Sequence, residues 1–400
     1  MKILVVNNFY YPYEVGGAEE SLRLQCEALI KLGQKVDVLT VAHELSGNPT
    51  RVNGVSTHYL RTLFSSGSPL HARRSSLMRI GWQFGGFLQV GAALHTFRLL
   101  YREKYDVVYV NNLPGIGRAS VLLAKVLGIP VVAGLRDYAW ICLRQSRFQR
   151  GKNCTGTCVK CRLGCSLRRS IAGCASGIAA NSTALLDTFK ASRTFTDATS
   201  RVIYAGAGQP EDQGKSHPSP RHTNPWLSIG VMGQIQPSKG FELFLQEVSP
   251  LLAAGGIRIL IAGTVSGEHA ISLRERFAGD DVTFVGRVDR AEFFRRVDVV
   301  VIPSLWNEPL SRITYEALAY GKCVVVSSHG GQKEIIRSGT NGYVYTPGNG
   351  SLVTIIRLLQ EQPELIDQQE HGAASSAAEY TPASAASSLL ALFESVTAIP

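Results

Sequence analysis

Short apolar runs alternate with longer amphipathic stretches along almost the whole chain. In its first half the apolar runs are residues 2–7, 35–41, 55–60, 106–110, 130–134, 177–180 and 201–204. Continuous apolar runs of this length are typical of parallel strands that are buried on both faces, and a helix is predicted between the first two, over residues 18–32. The alternation predicts an α/β fold with a doubly wound parallel sheet.

The same pattern begins again after an interruption. Residues 206–224 are rich in Gly, Pro, Ser and His and have no periodicity, as is typical of a linker. Strands are then predicted at residues 227–232, 257–262, 282–285, 298–302 and 323–327. We therefore expect two Rossmann-like domains facing a cleft, over residues 1–208 and 225–372, with a linker at 209–224 and a helical segment at 373–400.

Residues 307–321 place two glutamates around one predicted helix. Pro309 disfavours helical geometry at Glu308 and suits a first helical position, so the helix is predicted from Pro309 and Glu308 lies at its mouth. Glu316 follows about two turns later and can reach back along a ligand. The alternative is that both are ordinary helix glutamates.

A nucleoside diphosphate sugar fits this spacing. In strand-helix-strand units ligands bind beyond the carboxyl ends of the strands, and a helix N-terminus favours an anion. The sugar is expected at Glu308 and the ribose near Glu316. The diphosphate is expected over the helix start, which comprises Pro309, Leu310, Ser311 and Arg312.

The stretch from Glu308 to Glu316 resembles the Glu-x7-Glu motif of retaining glycosyltransferases of family 4, which have the GT-B fold. Further matches follow the order of that family along the chain: Gly16-Gly17-Ala18-Glu19, Val202-Ile203-Tyr204-Ala205-Gly206, Lys239-Gly240, Gly330-Gly331-Gln332-Lys333-Glu334 and Asn341-Gly342. The resemblance implies an enzyme of the hexosyltransferase type, with an envelope polysaccharide or a lipid-linked glycan as acceptor. It also implies that segment 373–400 packs back on the first domain.

Four further residues are candidates for donor binding. Lys239 lies in the loop after strand 227–232, where its charge can neutralise a diphosphate. The family commonly has an arginine where Gln234 stands, so this chain has one fewer cation there. Gly16 and Gly17 let the backbone approach a ligand closely, or they only shape a turn. Because the loop lacks Gly-x-Gly-x-x-Gly, a dehydrogenase is not expected.

Arg136 and Asp137 join Glu308 as candidate catalytic residues. They follow a buried run, and family members often carry a histidine near the sugar where Arg136 stands. Arginine stays protonated and cannot be a general base, so Arg136 is expected to hold an anion or the acceptor, with Asp137 orienting a hydroxyl or Arg136. An internal salt bridge is the alternative.

No Asp-x-Asp occurs in the chain, which removes the usual carboxylate pair for a metal on the donor. The expected enzyme therefore needs no cofactor for catalysis. The resemblance implies that the departing diphosphate accepts the acceptor's proton on the same face of the sugar.

Six of the eight cysteines fall within residues 142–174, a cysteine-rich insertion. In a reducing compartment clustered cysteines more often hold a metal than form disulfides. Cys154, Cys158, Cys161 and Cys165 form a compact set that could enclose a structural zinc ion. Redox use, an iron–sulfur cluster and unligated thiols are the alternatives.

The positive charge is concentrated in the first half. Residues 1–208 hold 26 Lys and Arg against 11 Asp and Glu, whereas residues 209–400 hold 15 against 20. Such a half favours an anionic partner, either nucleic acid or acidic lipid and lipid-linked phosphate, or the charge only aids solubility. Residues 70–100 mix basic and aromatic side chains, as membrane-surface helices or acceptor-binding loops do.

The N-terminus does not read as a signal peptide, and no apolar stretch approaches the ~20 residues that span a bilayer. A cytoplasmic protein is expected, free or at the inner face of the membrane.

Two other functions are consistent with parts of the chain. A zinc-bearing nucleic-acid-binding protein would explain the basic cysteine window but would leave the Glu308 to Glu316 stretch without a role, and nucleic acid is not the expected partner. A nucleotide-sugar epimerase of similar fold would turn over its substrate without an acceptor.

Overall fold

The computed structural model describes residues 1–11, 17–41, 50–60, 90–111, 116–208 and 225–398. The chain divides into two compact units. The first comprises Met1–Gln145, Gly156–Ala205 and Pro382–Pro400, and the second comprises Ser146–Thr155 and Gly206–Thr381. The predicted linker 209–224, the residue Gly16 and most of the basic and aromatic segment 70–100 lie outside the described residues.

The first unit is built on an eight-stranded sheet. Its strands are β1 (Lys2–Val6), β2 (Lys35–Val41), β3 (Thr50–Val52), β4 (Val55–Leu60), β5 (Val107–Val110), β6 (Val131–Leu135), β9 (Gly177–Ala180) and β10 (Thr199–Val202). Their order across the sheet is β10-β9-β6-β5-β1-β2-β4-β3. Strand β3 pairs antiparallel with β4, and the other strand pairs of the sheet within the described residues are parallel. The strand order reverses between β1 and β5.

Helices cover this sheet. They are α1 (Gly17–Lys31), α2 (Val90–Glu103), α3 (Gly117–Val126), α4 (Val159–Gly164), α5 (Ser166–Ala172), α6 (Thr183–Ala191) and, from the end of the chain, α13 (Pro382–Thr397). The last of these places Leu389, Leu392, Phe393 and Val396 in the same core as β1 and α1. A small side chain is required where it crosses the sheet, because a Cβ on Gly177 would lie 3.0 Å from Val396.

The second unit has a six-stranded parallel sheet. Its strands are β11 (Leu227–Met232), β12 (Ile257–Ala262), β13 (Val282–Gly286), β14 (Val299–Ile302), β15 (Cys323–Ser327) and β16 (Gly342–Tyr345). The order β13-β12-β11-β14-β15-β16 is that of a dinucleotide-binding Rossmann sheet, and it reverses between β11 and β14. A short hairpin of β7 (Phe148–Gln149) and β8 (Lys152–Asn153) also belongs to this unit.

Helices of the second unit connect these parallel strands and follow the last one. They are α7 (Phe241–Ala254), α8 (Glu268–Phe277), α9 (Arg290–Arg295), α10 (Arg312–Ala319), α11 (Ser351–Glu361) and α12 (Glu364–Ala377). The apolar faces of α7, α8, α11 and α12 meet the strands in one buried core. The predicted α/β class with two parallel, Rossmann-like sheets is confirmed. The unit boundary falls at Ala205–Gly206, three residues before the predicted one.

The helix predicted from Pro309 begins later. Residues 309–311 are non-helical, and Ser311 caps α10 in an extended conformation (φ −76°, ψ 132°). Pro309 therefore does not occupy the first helical position, and Glu308 lies four residues before the helix rather than at its mouth.

Candidate active site

The point where the strand order of the second sheet reverses brings two charged residues together. Ligands of such sheets bind beyond the carboxyl ends of the strands on either side of this point, here β11 and β14. Lys239 ends the 3₁₀ turn Pro237–Lys239, in the loop after β11, and Glu308 lies in the loop after β14. Lys239 and Glu308, both predicted from the sequence as donor-side residues, thus meet within the second unit.

The Glu308 carboxylate has a defined partner for each oxygen. The Lys239 ammonium donates a hydrogen bond to Oε1, and the Ser304 hydroxyl donates one of 2.5 Å to Oε2. Glu308 is buried (6% exposed), whereas the Lys239 side chain keeps 20% of its surface exposed. A buried carboxylate is stable only with such compensation, so this pair fixes an anion at the switch point.

Two glycines allow the backbones around Glu308 to pack closely. A Cβ on Gly330 would lie 2.0 Å from the Glu308 carbonyl oxygen, and the next amide, that of Gly331, donates a hydrogen bond to this oxygen at 2.9 Å. A Cβ on Gly240 would lie 1.9 Å from the Pro303 carbonyl oxygen. Both glycines have positive φ angles of 74° to 76°, which other residues rarely adopt.

A second row of polar groups supports Ser304. The Ser327 hydroxyl, at the end of β15, donates to the Ser304 carbonyl at 2.6 Å, and the Gln332 amide donates to the Ser327 hydroxyl at 3.3 Å. All three residues are buried. Ser304 and Ser327 are not predicted from the sequence, because small hydroxyl residues at strand ends carry no pattern that distinguishes a functional contact from a turn.

Glu316 belongs to another ion-pair group. It is buried (6% exposed), and its Oε1 accepts a 2.6 Å hydrogen bond from Arg312 Nε and lies 3.2 Å from Arg290 Nε. Arg312 was expected to assist the phosphates; in the structure its guanidinium is directed one helical turn onward, to Glu316. The ribose role of Glu316 stays a prediction.

The remaining donor-side candidates are placed as follows. Gln234 follows β11 and is exposed. Gly17 is the first residue of α1 in the first unit, and the preceding residue, Gly16, lies outside the described residues. Pro309, Leu310 and Ser311 are buried in the extended segment before α10. No contact in the structure tests their donor roles.

Arg136 is part of a polar network at the switch point of the first sheet. Its Nε donates to Asn111 Oδ1 at 2.9 Å, and its Nη2 donates to Gln25 Oε1 at 2.8 Å and to the Tyr109 hydroxyl at 3.3 Å. Asn111 in turn donates to Asn7 Oδ1 at 3.1 Å. The partners are neutral oxygens, so the guanidinium keeps its full positive charge at the carboxyl ends of β1 and β5.

Asp137 has an internal partner. Its Oδ1 accepts a 2.7 Å hydrogen bond from the Ala139 amide, and the buried Arg168 donates to the Ala139 carbonyl at 2.6 Å. Burial raises the pKa of Asp137 to about 6, while the Ala139 amide and the charge of Arg168 act in the opposite direction. The carboxyl group is thus ionisable near neutral pH.

The predicted zinc site rests on Cys154, Cys158, Cys161 and Cys165. All eight cysteines are free thiols, and in the described part of the chain no group of three or more His, Cys, Asp or Glu residues is arranged to hold a metal ion. Cys154 lies in the second unit, whereas Cys158, Cys161 and Cys165 lie in the first. Zinc binding by these four cysteines stays a prediction.

Two family models match the chain on either side of the unit boundary. Glycosyl transferases group 1 matches residues 227–361, and the glycosyl transferase 4-like domain matches residues 16–206. The first match includes Lys239, Glu308 and Glu316. The chain is a glycosyltransferase. An epimerase and a nucleic-acid-binding protein, the two alternatives, are therefore set aside.

Individual relatives agree with this glycosyltransferase assignment. An uncharacterized 42.6 kDa protein in the cps region of Klebsiella pneumoniae is 26% identical over 344 residues, 86% of this chain and 89% of that protein. The lipopolysaccharide core biosynthesis mannosyltransferase LpcC of Rhizobium leguminosarum bv. viciae is 29% identical over 136 residues, 32% and 38% of the two chains. The Anabaena protein HepE, solved in complex with UDP, superposes on this chain with a TM-score of 0.71 and 20% sequence identity. The superposition covers 99% of this chain and 100% of HepE. The predicted GT-B fold is confirmed.

No helix within the described residues of this glycosyltransferase is both long and apolar enough to span a membrane.

Proposed function

We propose that this glycosyltransferase is a retaining enzyme that transfers a sugar from a nucleoside diphosphate sugar to an envelope polysaccharide or lipid-linked acceptor, without a divalent metal on the donor. The contact between Lys239 and Glu308 at the switch point carries the proposal. It offers a cation for the diphosphate and a fixed carboxylate for the sugar within one hydrogen-bonded group.

In the proposed reaction, the bond between the anomeric carbon and the diphosphate oxygen breaks while the acceptor oxygen attacks from the same face. The acceptor's proton passes to the departing diphosphate, so no protein nucleophile is required. Lys239 balances the charge that develops on the diphosphate. Glu308 holds the sugar, and Glu316 is assigned to the ribose hydroxyls.

Metal independence is proposed on the absence of Asp-x-Asp from the sequence together with this lysine. Activity that survives excess EDTA would support it. Activity that is lost with EDTA and restored by Mg²⁺ or Mn²⁺ would contradict it.

The choice of donor can be tested by binding. HepE was solved with UDP and also with UDP-glucose, so UDP sugars are the first to examine. Thermal unfolding measured with UDP, GDP and ADP sugars should show one nucleotide that raises the melting temperature, because a ligand that binds only the folded state stabilises it. Transfer is then assayed with that donor and lipid-linked glycans. Wild-type protein that binds no nucleotide sugar would refute the proposal.

Glu308→Gln tests the role of the carboxylate in transfer. Glutamine keeps the size and a hydrogen-bond acceptor of the glutamate side chain but loses its charge. We expect the variant to bind the nucleotide and to lose transfer by roughly 100-fold or more. The anomeric configuration of the product, read by NMR, separates retention from inversion.

Association of the first unit with an anionic membrane surface is part of the proposal. Val159, Leu163 and Leu167 recur every four residues on α4 and α5 and are 49–70% exposed, and Lys160 and Arg162 beside them are exposed as well. Apolar side chains among cations are typical of helices that lie on anionic bilayers. Binding to vesicles with anionic lipid, and not to neutral vesicles, would support this surface, and Leu163→Ser should weaken the binding.

A further inference from the structure

The hairpin at residues 146–155 carries a side chain that reaches the Glu308 loop. Both belong to the second unit, although the hairpin lies in the sequence between two segments of the first. Asn153, in β8, donates from Nδ2 to the Leu305 carbonyl at 2.7 Å, and the Asn307 amide donates to Asn153 Oδ1 at 2.7 Å. The carboxamide thus pairs with residues 305–307 as a neighbouring strand would.

Residues 305–307 are the link between Ser304 and Glu308. The Leu305 and Trp306 amides both donate to the Ser238 carbonyl, at 2.9 and 3.2 Å, and Ser238 precedes Lys239. The Glu308 amide closes a tight turn onto the Trp306 carbonyl at 2.7 Å. The link is therefore anchored to the lysine turn through Ser238 and to the hairpin through Asn153.

The hairpin holds a conformation that needs support. Arg147 (φ 52°) and Arg150 (φ 50°) adopt left-handed geometry without being glycine, and Gly151 (φ 75°) completes a two-residue turn. Positive φ at both central residues is the ordinary geometry of a two-residue hairpin turn, so Arg147 is the residue whose conformation the surroundings must support. Backbone and side-chain bonds between Arg147 and Cys154, at 2.7 and 3.0 Å, close the base of the hairpin.

We propose that Asn153 is a positioning residue for Glu308: its paired hydrogen bonds to Leu305 and Asn307 fix the loop that aims the carboxylate. This inference rests on the proposed role of Glu308 in transfer. Nothing in the contacts requires Asn153 to touch the donor. Its loss should therefore change the rate of the chemical step rather than the affinity for the donor.

The first test is kinetic. Asn153→Ala should lower kcat by roughly 10- to 100-fold with little change in the KM for the donor, since small misplacements of a reacting group cost up to about this much. Asn153→Asp keeps the acceptor for the Asn307 amide but not the donor for the Leu305 carbonyl. Its kcat should therefore lie between those of the wild type and Asn153→Ala. Gln149→Ala, an exposed residue of the same hairpin, is the control and should match the wild type.

The second test does not depend on activity. Amide hydrogen exchange resolved to single residues should show the Asn307 amide exchanging at least about ten times faster in Asn153→Ala, while the Leu305 amide, bonded to Ser238, stays protected. If Asn153→Ala fails to fold, Asn153→Leu, which is close to asparagine in size and offers no acceptor to the Asn307 amide, serves for both tests.

Unchanged kcat, a change in KM alone, or unchanged exchange at Asn307 would each overturn the inference. A wild-type protein without transferase activity would instead refute the proposed function, and the exchange result would still decide whether Asn153 fixes the loop.

Discussion

Lys239 and Glu308 form an ion pair between two loops that are 69 residues apart in the sequence, each of which follows a strand at the reversal of the second sheet. The Glu308 side chain of this pair is buried, whereas the Lys239 side chain is partly exposed. The Lys239 ammonium group is therefore the more accessible member of the pair.

Removing this cation should impair both folding and transfer. In Lys239→Met the buried Glu308 carboxylate loses its counterion, which should lower the free energy of unfolding by roughly 2–4 kcal/mol. Transfer should fall by roughly 100-fold or more, because the charge on the leaving diphosphate loses its partner. Urea unfolding and a transfer assay measure the two effects.

A double variant separates these effects. Lys239→Met with Glu308→Gln carries no unpaired charge, so its stability should recover towards that of the wild type while transfer stays low. Lys333→Met, at an exposed lysine in the loop after β15, is the control. Wild-type transfer in Lys239→Met would contradict a role of this lysine at the diphosphate.

The sequence predicted the two alternating halves and the lysine and glutamate loops, because buried parallel strands and glycine-bearing turns leave clear local patterns. It placed the start of α10 three residues too early, since proline only permits a helical start and does not require one. Asn153 was not predicted at all. Its partners lie about 150 residues away, and no local pattern marks a side chain that pairs with a distant backbone.

Arg312 shows a further limit of the sequence pattern. Its position near a predicted helix N-terminus suggested a phosphate contact, whereas in the structure Arg312 Nε bonds to Glu316 one turn later. Pairs of opposite charges four residues apart on a helix are common and weakly stabilising. The sequence alone does not show whether such an arginine binds a ligand phosphate or the glutamate one turn later.

Glu316→Gln tests the assignment of the ribose. We expect the KM for the donor to rise by roughly 10- to 100-fold with a smaller change in kcat. The reason is that a carboxylate that accepts hydrogen bonds from two hydroxyls of a bound ribose contributes to binding. Steady-state kinetics over a range of donor concentrations gives both constants. Arg290→Met, which removes only the 42% exposed partner of Glu316, should change the KM much less. A lower melting temperature with an unchanged KM would show a structural role alone.

Gly330→Ala tests the close approach of the backbone to Glu308. The new Cβ would lie 2.0 Å from the Glu308 carbonyl oxygen, so the loop must move. Gly339→Ala is a matched control, because its φ of 83° gives similar backbone strain with no atom within 4 Å of the Cβ. The control should cost about 1 kcal/mol of stability, and Gly330→Ala should cost more and also reduce transfer. Equal effects of the two variants would show that the contact with Glu308 is unimportant.

Asp137 should make the stability of the protein depend on pH. Burial raises its pKa in the folded state from 3.8 to about 6, so the folded protein binds this proton more tightly than the unfolded chain. The resulting stabilisation is complete below about pH 4 and is lost as the pH rises through about 6.

Other carboxylates titrate in the same range, so the difference between the wild type and Asp137→Asn isolates this group. The free energy of unfolding of the wild type, relative to the variant, should fall by at most about 3 kcal/mol between pH 4 and pH 7. Urea unfolding at intervals of half a pH unit measures this difference, and a difference that is constant across the range would show that Asp137 titrates normally.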